Sequence, residues 1–239
     1  MPDRTPRSAL PHSAPPHAPP SAPPSAPPSA PPSAPPSAPY ALTYRREVDG
    51  LRAVAVLPVI LFHAGLGGLP GGFVGVDVFF VISGYLITSL LLADLARGRL
   101  SLLDFYERRA RRLLPALCCV ALLCLPVAWL ALIPSDMRAF SQSLVAAALF
   151  CSNVFFWRQS GYFDTDAELK PLLHTWSLSL EEQYYLLFPP LLALLWRRGG
   201  GWVAGGLWAA GALSLAVAEW GVGARPAAAF YLLPARGWE

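Results

Sequence analysis

The residues of this sequence that are best suited to chemistry lie in its first long apolar stretch, where titratable side chains interrupt runs of aliphatic ones. Asp49, Arg52 and His63 fall within about residues 48–65. Ionisable groups are costly inside a membrane, so their presence there indicates a function. Arg52 and His63 are eleven residues apart, so a helix would place them on one face, roughly 16 Å apart along its axis. Because an imidazole titrates near neutral pH, His63 can take a proton from a hydroxyl group.

The second apolar stretch, about residues 73–95, carries a carboxylate at Asp77 and two small residues at Ser83 and Gly84. Asp77 and Gly84 are seven residues apart, so they share a helix face. Close helix packing explains Gly84 without any chemistry. Asp77 can either pair with a cation such as Arg52 or contact a substrate, and the sequence leaves both interpretations open.

An arginine cluster follows the second stretch. Six arginines fall within sixteen residues, and they are Arg97, Arg99, Arg108, Arg109, Arg111 and Arg112. This is the strongest positive-inside signal in the sequence, and it predicts that the loop is cytoplasmic. Guanidinium groups also hold phosphate oxygens with paired hydrogen bonds, and a helix start favours an anion. The cluster is therefore suited both to fix the topology and to bind a phosphate-bearing ligand.

A third polar group opens a later apolar stretch with the sequence H-T-W-S-L-S-L-E-E-Q-Y-Y. On a helix, spacings of three and four residues place four of its side chains on one face, and these are His174, Ser177, Glu181 and Tyr185. Glu181 and Glu182 can orient a histidine or a substrate, or they can simply balance the helix dipole. His174 is the weaker candidate because the helix can begin after it.

The sequence does not support other kinds of site. It has no G-x-S-x-G nucleophile motif, no P-loop and no metal-ligand spacing, so we expect no metal centre. The four cysteines lie inside apolar runs, as small apolar fillers do. A net charge of +3 is too small to indicate nucleic-acid binding.

The elements that must position these residues are membrane helices. Hydrophobic residues make up 54% of the 239 residues and charged residues 14%, against about 25% charged in a soluble domain. The mean hydropathy is +0.44, although residues 1–43 form a Ser/Ala/Pro-rich tail that we expect to be disordered. The sequence predicts an all-α, polytopic transmembrane bundle of about six segments. These lie at about residues 48–65, 73–95, 113–133, 140–157, 176–196 and 202–220.

The predicted topology depends on the fourth segment. The arginine cluster implies that the N-terminus, two spans earlier, is also cytoplasmic. Arg197 and Arg198 close the fifth segment, and an even number of crossings must separate them from the cluster if both are cytoplasmic. Three segments lie between them. Either the fourth segment is re-entrant, which its polarity favours, or the later arginine pair breaks the rule.

Several motifs, in order, resemble those of acyltransferase family 3. They are D-G-L-R-A-V-A-V, F-H-A-G, G-V-D-V-F-F-V-I-S-G-Y-L-I, R-R-A-R-R-L-L-P, W-S-L-S-L-E-E-Q-Y-Y and R-G-W-E. The resemblance covers residues 44–239 and implies a multi-span membrane protein that moves acyl groups, often acetyl, onto sugars of cell-surface glycans. Family members have several more spans, so we expect residues 44–239 to be the N-terminal part of such a domain, truncated at its C-terminus.

The resemblance also implies catalytic roles. His63 matches the proposed catalytic histidine, which acts as a base or an acyl relay, and Arg52 matches the arginine that accompanies it. Glu181 matches the glutamate of the W-S-L-S motif, and we expect it to orient the histidine or the substrate, or to shape the cavity.

Substrate-binding roles follow in the same way. Arg109 and Arg112 match the two arginines of an R-x-x-R segment, which implies that they bind the phosphates of acyl-CoA together with Arg108. We expect three further residues at the substrate site, namely Asp77, Ser177 and Tyr185.

We therefore expect a membrane-bound O-acyltransferase that moves an acyl group, in the first place acetyl, from acyl-CoA to a glycan hydroxyl. Acyl-CoA is expected as a co-substrate, with no tightly bound cofactor, and membrane lipids and the glycan are the other expected partners. The expected location is the plasma (inner) membrane. A transporter or flippase of lipid-linked glycans is the alternative, but it explains the basic cluster less easily. A non-catalytic membrane scaffold would tolerate substitution of Arg52 and His63.

Overall fold

The described part of the computed structural model comprises residues 46–66, 70–160 and 170–239, and it is helical without any strand. The prediction of an all-α fold is confirmed, while the predicted tail, residues 1–43, lies outside the described residues. A short 3-10 turn over Gly72–Val74 precedes the second helix. The helices are α1 (Arg46–His63), α2 (Gly75–Ala96), α3 (Leu102–Ala131), α4 (Pro134–Ala148), α5 (Ser152–Gln159), α6 (Thr175–Trp196), α7 (Gly200–Ala224), α8 (Pro226–Tyr231) and α9 (Leu233–Arg236).

Three helical stretches of the described chain are long and apolar enough to cross a membrane, and they are Gly72–Ala96, Leu102–Ala131 and Gly200–Ala224. They correspond to the second, third and sixth predicted segments. The first and fifth segments are the helices α1 and α6, in which charged and polar residues interrupt the apolar runs. Large apolar side chains on α3 face outward, as expected for contact with lipid, and include Leu122, Leu123, Trp129 and Leu130. The protein is an integral membrane protein.

The third segment begins earlier than the sequence predicts. Its expected start is near residue 113, but α3 begins at Leu102 and runs through the arginine cluster. The Ser101 hydroxyl caps the helix by accepting a hydrogen bond from the Asp104 amide at 3.3 Å. Since arginine is also a good helix former, the helix continues through Arg108 and Arg112 rather than leaving them in a loop.

Helices α1 and α2 touch through their backbones. A Cβ atom on Gly75 would collide with the Ala55 carbonyl and lie 2.8 Å from Val59 Cγ2. A Cβ atom on Gly72 would collide with the Pro58 carbonyl. Glycine at these two positions therefore lets the start of α2 lie directly against the half of α1 that ends at His63.

Helix α6 is the central element of the bundle. It packs against α2, α5 and α7, and more lightly against α4, α8 and α9. Its second half forms one apolar cluster with α2, α3 and α7, which buries Ile87, Leu91, Phe105, Tyr185, Phe188, Leu192 and Val203. Its first half forms another with α2 and α5, which buries Phe80, Phe156, Trp176 and Leu180. Residues on α6 therefore pack against side chains of α2 and α3.

The fourth predicted segment is broken into α4 and α5 at Phe150, whose φ of 51° lies in the left-handed region. Before the break, Phe140 of α4 packs with Leu172, just ahead of α6. After the break, Phe156 of α5 packs with Trp176 in the first turn of α6. Both contacts lie near the start of α6, and the re-entrant path of this segment stays a prediction.

Candidate active site

The last turn of α1 presents His63 at an open end of the bundle. The helix ends in a turn closed by two backbone hydrogen bonds, from the Gly65 amide to the Phe62 carbonyl at 3.2 Å and from the Leu66 amide to the Leu61 carbonyl at 3.0 Å. Gly65 adopts a φ of 66°, which glycine tolerates. The His63 side chain is consequently exposed at the helix end rather than buried in the core.

The His63 ring has a defined hydrogen-bonding state. Its Nδ1 lies 2.7 Å from the Val59 carbonyl oxygen. A carbonyl only accepts, so this nitrogen must carry the proton and donate it. In the neutral ring the other nitrogen, Nε2, then holds a lone pair, which is the state that a general base requires.

A second imidazole lies against the first. The ring centroids of His63 and His174 are 4.3 Å apart, and the rings are nearly perpendicular at 82°. His174 immediately precedes α6, so the structure brings together the ends of two distant helices. Partial burial lowers the pKa of His174, and the neighbouring His63 lowers it further. We refer to His63 and His174 as the histidine pair.

Arg52 lies on the same helix as His63 but contacts a different group. Its guanidinium carbon is 5.2 Å from the centre of the Phe79 ring on α2, a cation–π distance. Asp77 pairs with Arg236 instead, and no ion pair among the described residues joins it to Arg52. Arg52 therefore sits about three turns before the histidine, as the sequence spacing predicts.

A second polar centre lies between α3 and α6. Arg109 Nε donates to both carboxylate oxygens of Glu182, at 2.8 and 3.0 Å. Its Nη2 lies 2.7 Å from Glu182 and 3.5 Å from Glu181, and the guanidinium stacks 3.4 Å above the centre of the Tyr185 ring. The Tyr185 hydroxyl in turn donates to Glu181 at 2.7 Å. We refer to Arg109, Glu181, Glu182 and Tyr185 as the arginine–glutamate cluster.

A third charged group lies beside α2 and consists of Asp77, Arg236 and Glu239. Arg236 bonds to Asp77, and its Nη2 lies 3.0 Å from Glu239. Three aromatic rings surround its guanidinium at 5.5–5.8 Å and belong to Phe80, Trp176 and Phe230. A small cleft with a cavity volume of about 30 Å³ lies between this group and the arginine–glutamate cluster, and Ser83, Glu181, Tyr184, Tyr185 and Arg236 are among the residues that line it.

The remaining predicted site residues are more peripheral. Arg108 and Arg112 are exposed on α3 and, four residues apart, share a helix face. The Ser177 hydroxyl donates to the His174 carbonyl at 3.2 Å, within its own helix turn. Glu181 bonds to Arg109 and Tyr185, and within the described chain it makes no hydrogen bond to a histidine. The expectation that Glu181 orients His63 directly thus finds no contact to support it.

A buried polar network at the break between α4 and α5 is absent from the sequence prediction. Gln183 donates to the Phe150 carbonyl at 2.9 Å and to the Asn153 side chain at 2.8 Å. The Ser152 and Ser179 hydroxyls lie 2.7 Å apart. Ser179 and Gln183 are four residues apart on α6, so their helical spacing was visible, but their partners on α5 were not. The second serine and the glutamine of the W-S-L-S motif therefore bind α6 to the break between α4 and α5.

Comparison with known sequences decides the family. A sequence model described as an acyltransferase domain matches residues 45–234. The chain belongs to acyltransferase family 3. The resemblance read from the motifs is therefore confirmed, and the matched range includes the histidine pair and the arginine–glutamate cluster.

Relatives of this acyltransferase family 3 chain come from Staphylococcus aureus. The O-acetyltransferase OatA of strain NCTC 8325 is 40% identical over 161 residues, which cover 66% of this chain and 26% of OatA. The protein SAS0844 of strain MSSA476 is 42% identical over 155 residues, which cover 64% of this chain and 26% of the relative. The chain thus spans about a quarter of the length of these relatives. No solved structure matches it.

Proposed function

We propose that the protein acts in a membrane O-acyltransferase that moves an acetyl group from acetyl-CoA to a hydroxyl of a cell-envelope glycan, with His63 as the general base. Membership of acyltransferase family 3 and similarity to an O-acetyltransferase support the class of reaction. The observation that carries the choice of base is the hydrogen bond from His63 Nδ1 to Val59, because it leaves Nε2 free at an exposed position.

The proposed reaction is a direct transfer. The glycan hydroxyl oxygen attacks the thioester carbonyl carbon, and His63 Nε2 takes the hydroxyl proton as the new C–O bond forms. The C–S bond then breaks, and the sulfur leaves with the proton that His63 returns. The products are the glycan acetyl ester and free CoA, and His63 is regenerated in its neutral state.

The donor is proposed to enter from the end of the bundle that holds the arginines. Arg108 and Arg112 are exposed on one face near the start of α3, where their guanidinium groups can bind phosphates. Arg109 is held within the bundle by Glu182 instead, so it is less suited to bind phosphate. The cleft between the arginine–glutamate cluster and Arg236 is the proposed route for the acyl arm.

The opposite end of the bundle is proposed to receive the glycan. Helices α1 and α2 are antiparallel neighbours, so His63 lies near the start of α2 and the arginines follow its end. A helix of the length of α2 spans roughly 33 Å, close to the thickness of a bilayer core. We place the arginines and the N-terminus on the cytoplasmic side of the plasma membrane, because cytoplasmic loops are rich in arginine.

The test replaces the proposed base in the complete protein. Inside-out membrane vesicles carrying wild-type protein, His63→Ala or His17→Ala are supplied with acetyl-CoA labelled in its acetyl group, and label in the glycan is measured. We expect His63→Ala to lower transfer by about a hundredfold or more, since general base catalysis contributes that much. His17→Ala is the matched control, because it removes a histidine from the N-terminal Pro-rich stretch.

Equal membrane levels of the variants, checked by immunoblot, make the comparison valid. Wild-type rates from His63→Ala would overturn the assignment of the base. Absence of label from the glycan with wild-type protein, together with lipid-linked glycan accumulating inside cells that lack it, would contradict the acyltransferase proposal and favour a transporter.

A further inference from the structure

The contact between the two histidine rings has no role in the reaction as described so far. His63 contacts two other rings, that of Phe62 at 5.2 Å and that of His174 at 4.3 Å. The His63 side chain is exposed and the His174 side chain is only partly buried, so filling the apolar core does not account for the contact. No hydrogen bond joins the two rings within the described chain, and the contact is one of packing, edge to face.

Histidine rings need such a restraint if one nitrogen is to do chemistry. The terminal torsion of a histidine side chain is broad and roughly two-fold, so the ring can turn over and exchange the places of its two nitrogens. Turning the His63 ring would break its bond to Val59 and present a different nitrogen to the substrate. A perpendicular ring at 4.3 Å opposes that motion.

We propose that His174 is a positioning residue for His63, whose ring holds the His63 imidazole in the orientation that keeps Nε2 available to the substrate hydroxyl. This inference rests on the function proposed above. Position 174 suits the task because its backbone is fixed at the start of α6, and its carbonyl also accepts the Ser177 hydroxyl at 3.2 Å.

An imidazole is a fitting partner for a base that becomes charged during the reaction. Burial and the nearby His63 lower the pKa of His174, so the His174 ring stays neutral at neutral pH. A neutral aromatic ring does not repel the imidazolium that forms when His63 takes the proton. A permanently charged residue in its place would do so.

The test compares three substitutions at this position in the complete protein, assayed in vesicles with labelled acetyl-CoA. His174→Ala removes the ring, and we expect kcat to fall about ten- to a hundredfold while KM for acetyl-CoA is unchanged, because misplacing a catalytic group has effects of this size. His174→Phe restores a ring of similar shape and should recover most of the lost kcat. His17→Ala should match wild type.

The third substitution, His174→Lys, gives a readout that a purely structural role would not change. An ammonium group beside His63 disfavours the imidazolium, so the acid limb of the pH–rate profile should move to lower pH by about half a unit or more. A side chain at position 174 that did not lie against His63 would leave the limb where it is.

The outcomes separate this inference from the proposed function. Wild-type kcat in His174→Ala, or no recovery in His174→Phe, would overturn the positioning role, even if His63→Ala is inactive. An unmoved acid limb in His174→Lys would also overturn it. If His63→Ala itself transfers acetyl at the wild-type rate, the proposed base fails first. If His174→Ala does not reach the membrane, the phenylalanine and lysine variants decide.

Discussion

The histidine pair and the arginine–glutamate cluster both place polar side chains in a largely apolar bundle, but their hydrogen bonds are used differently. In the cluster, Arg109 and Tyr185 direct their donors to Glu181 and Glu182, and the carboxylate side chains are only 13–14% exposed. In the histidine pair, Nδ1 of His63 is bonded and the ring is exposed.

The difference separates a group that holds helices together from a group that can react. Charges that bond mainly to each other offset their own desolvation, and removing one of them leaves its partners buried and unpaired. An imidazole with one nitrogen fixed and the other open retains a lone pair for a substrate. Both centres carry motif residues of the family, so the motifs alone do not distinguish the two roles.

The largest expected effect comes from breaking the cluster at its cation. Arg109→Ala leaves Glu181 and Glu182 without their positive partner, and we expect the free energy of unfolding to fall by about 3–5 kcal/mol. Unfolding by denaturing detergent measures it. Arg111→Ala is the matched control, because the Arg111 side chain is 79% exposed and its ion pair within the described chain is with Glu107 at the helix surface. That change should cost about 0.5 kcal/mol or less.

Equal stability of the two arginine variants would contradict a stabilising role for the arginine–glutamate cluster. It would mean that Arg109 is not needed to neutralise the glutamates. If Arg109→Ala then also weakened binding of acetyl-CoA, the original expectation from the R-x-x-R segment would be favoured over the structural role.

A smaller effect is expected at the break between α4 and α5, where polar side chains also bond mainly to other groups of the protein. Gln183→Leu removes the donor that serves the Phe150 carbonyl and the Asn153 side-chain oxygen, at a cost of about 1–3 kcal/mol. Gln142→Leu makes the same chemical change at an exposed position on α4. The difference in unfolding midpoint between the two variants measures the network, and a difference near zero would show that the break does not depend on it.

The arginine–glutamate cluster and the polar network at the break between α4 and α5 show which parts of the structure the sequence can predict. Helix positions follow from apolar length and periodicity, so the all-α membrane fold was predicted correctly. The local spacing on α6 was also informative, since Glu181 and Tyr185, four residues apart, are hydrogen-bonded as expected for one helix face. Such features depend on neighbours along the chain, and a single sequence contains them.

Contacts between distant helices could not be predicted in the same way. The break at Phe150 has neither glycine nor proline, and its left-handed backbone is supported by Gln183, more than thirty residues later. The pairing of Arg109 with Glu182 and of His63 with His174 depends on how α3, α1 and α6 pack. The sequence therefore ranks His174 as the weaker candidate, because its position before α6 gives no sign that its ring contacts His63.

The smallest expected effect is a pH dependence of stability that belongs to the histidine pair. Because burial and His63 lower the pKa of His174 in the folded protein, the unfolded chain binds more protons at this group below its ordinary pKa of about 6.5. Stability from His174 is therefore fully present above that pH and is lost as pH falls below it. His174→Phe removes this loss.

The measurement is the fall in the thermal unfolding midpoint between pH 7.5 and pH 5.5, compared for wild type and His174→Phe in the same detergent. Burial raises the pKa of Glu239 to about 7, so that carboxyl group favours the folded state as pH falls. Because both proteins contain Glu239, subtracting the two falls removes its contribution. We expect the wild type to lose more stability than the variant. An equal or smaller loss would mean that residue 174 is as well solvated as in the unfolded chain, and the histidine pair would then be two independent side chains.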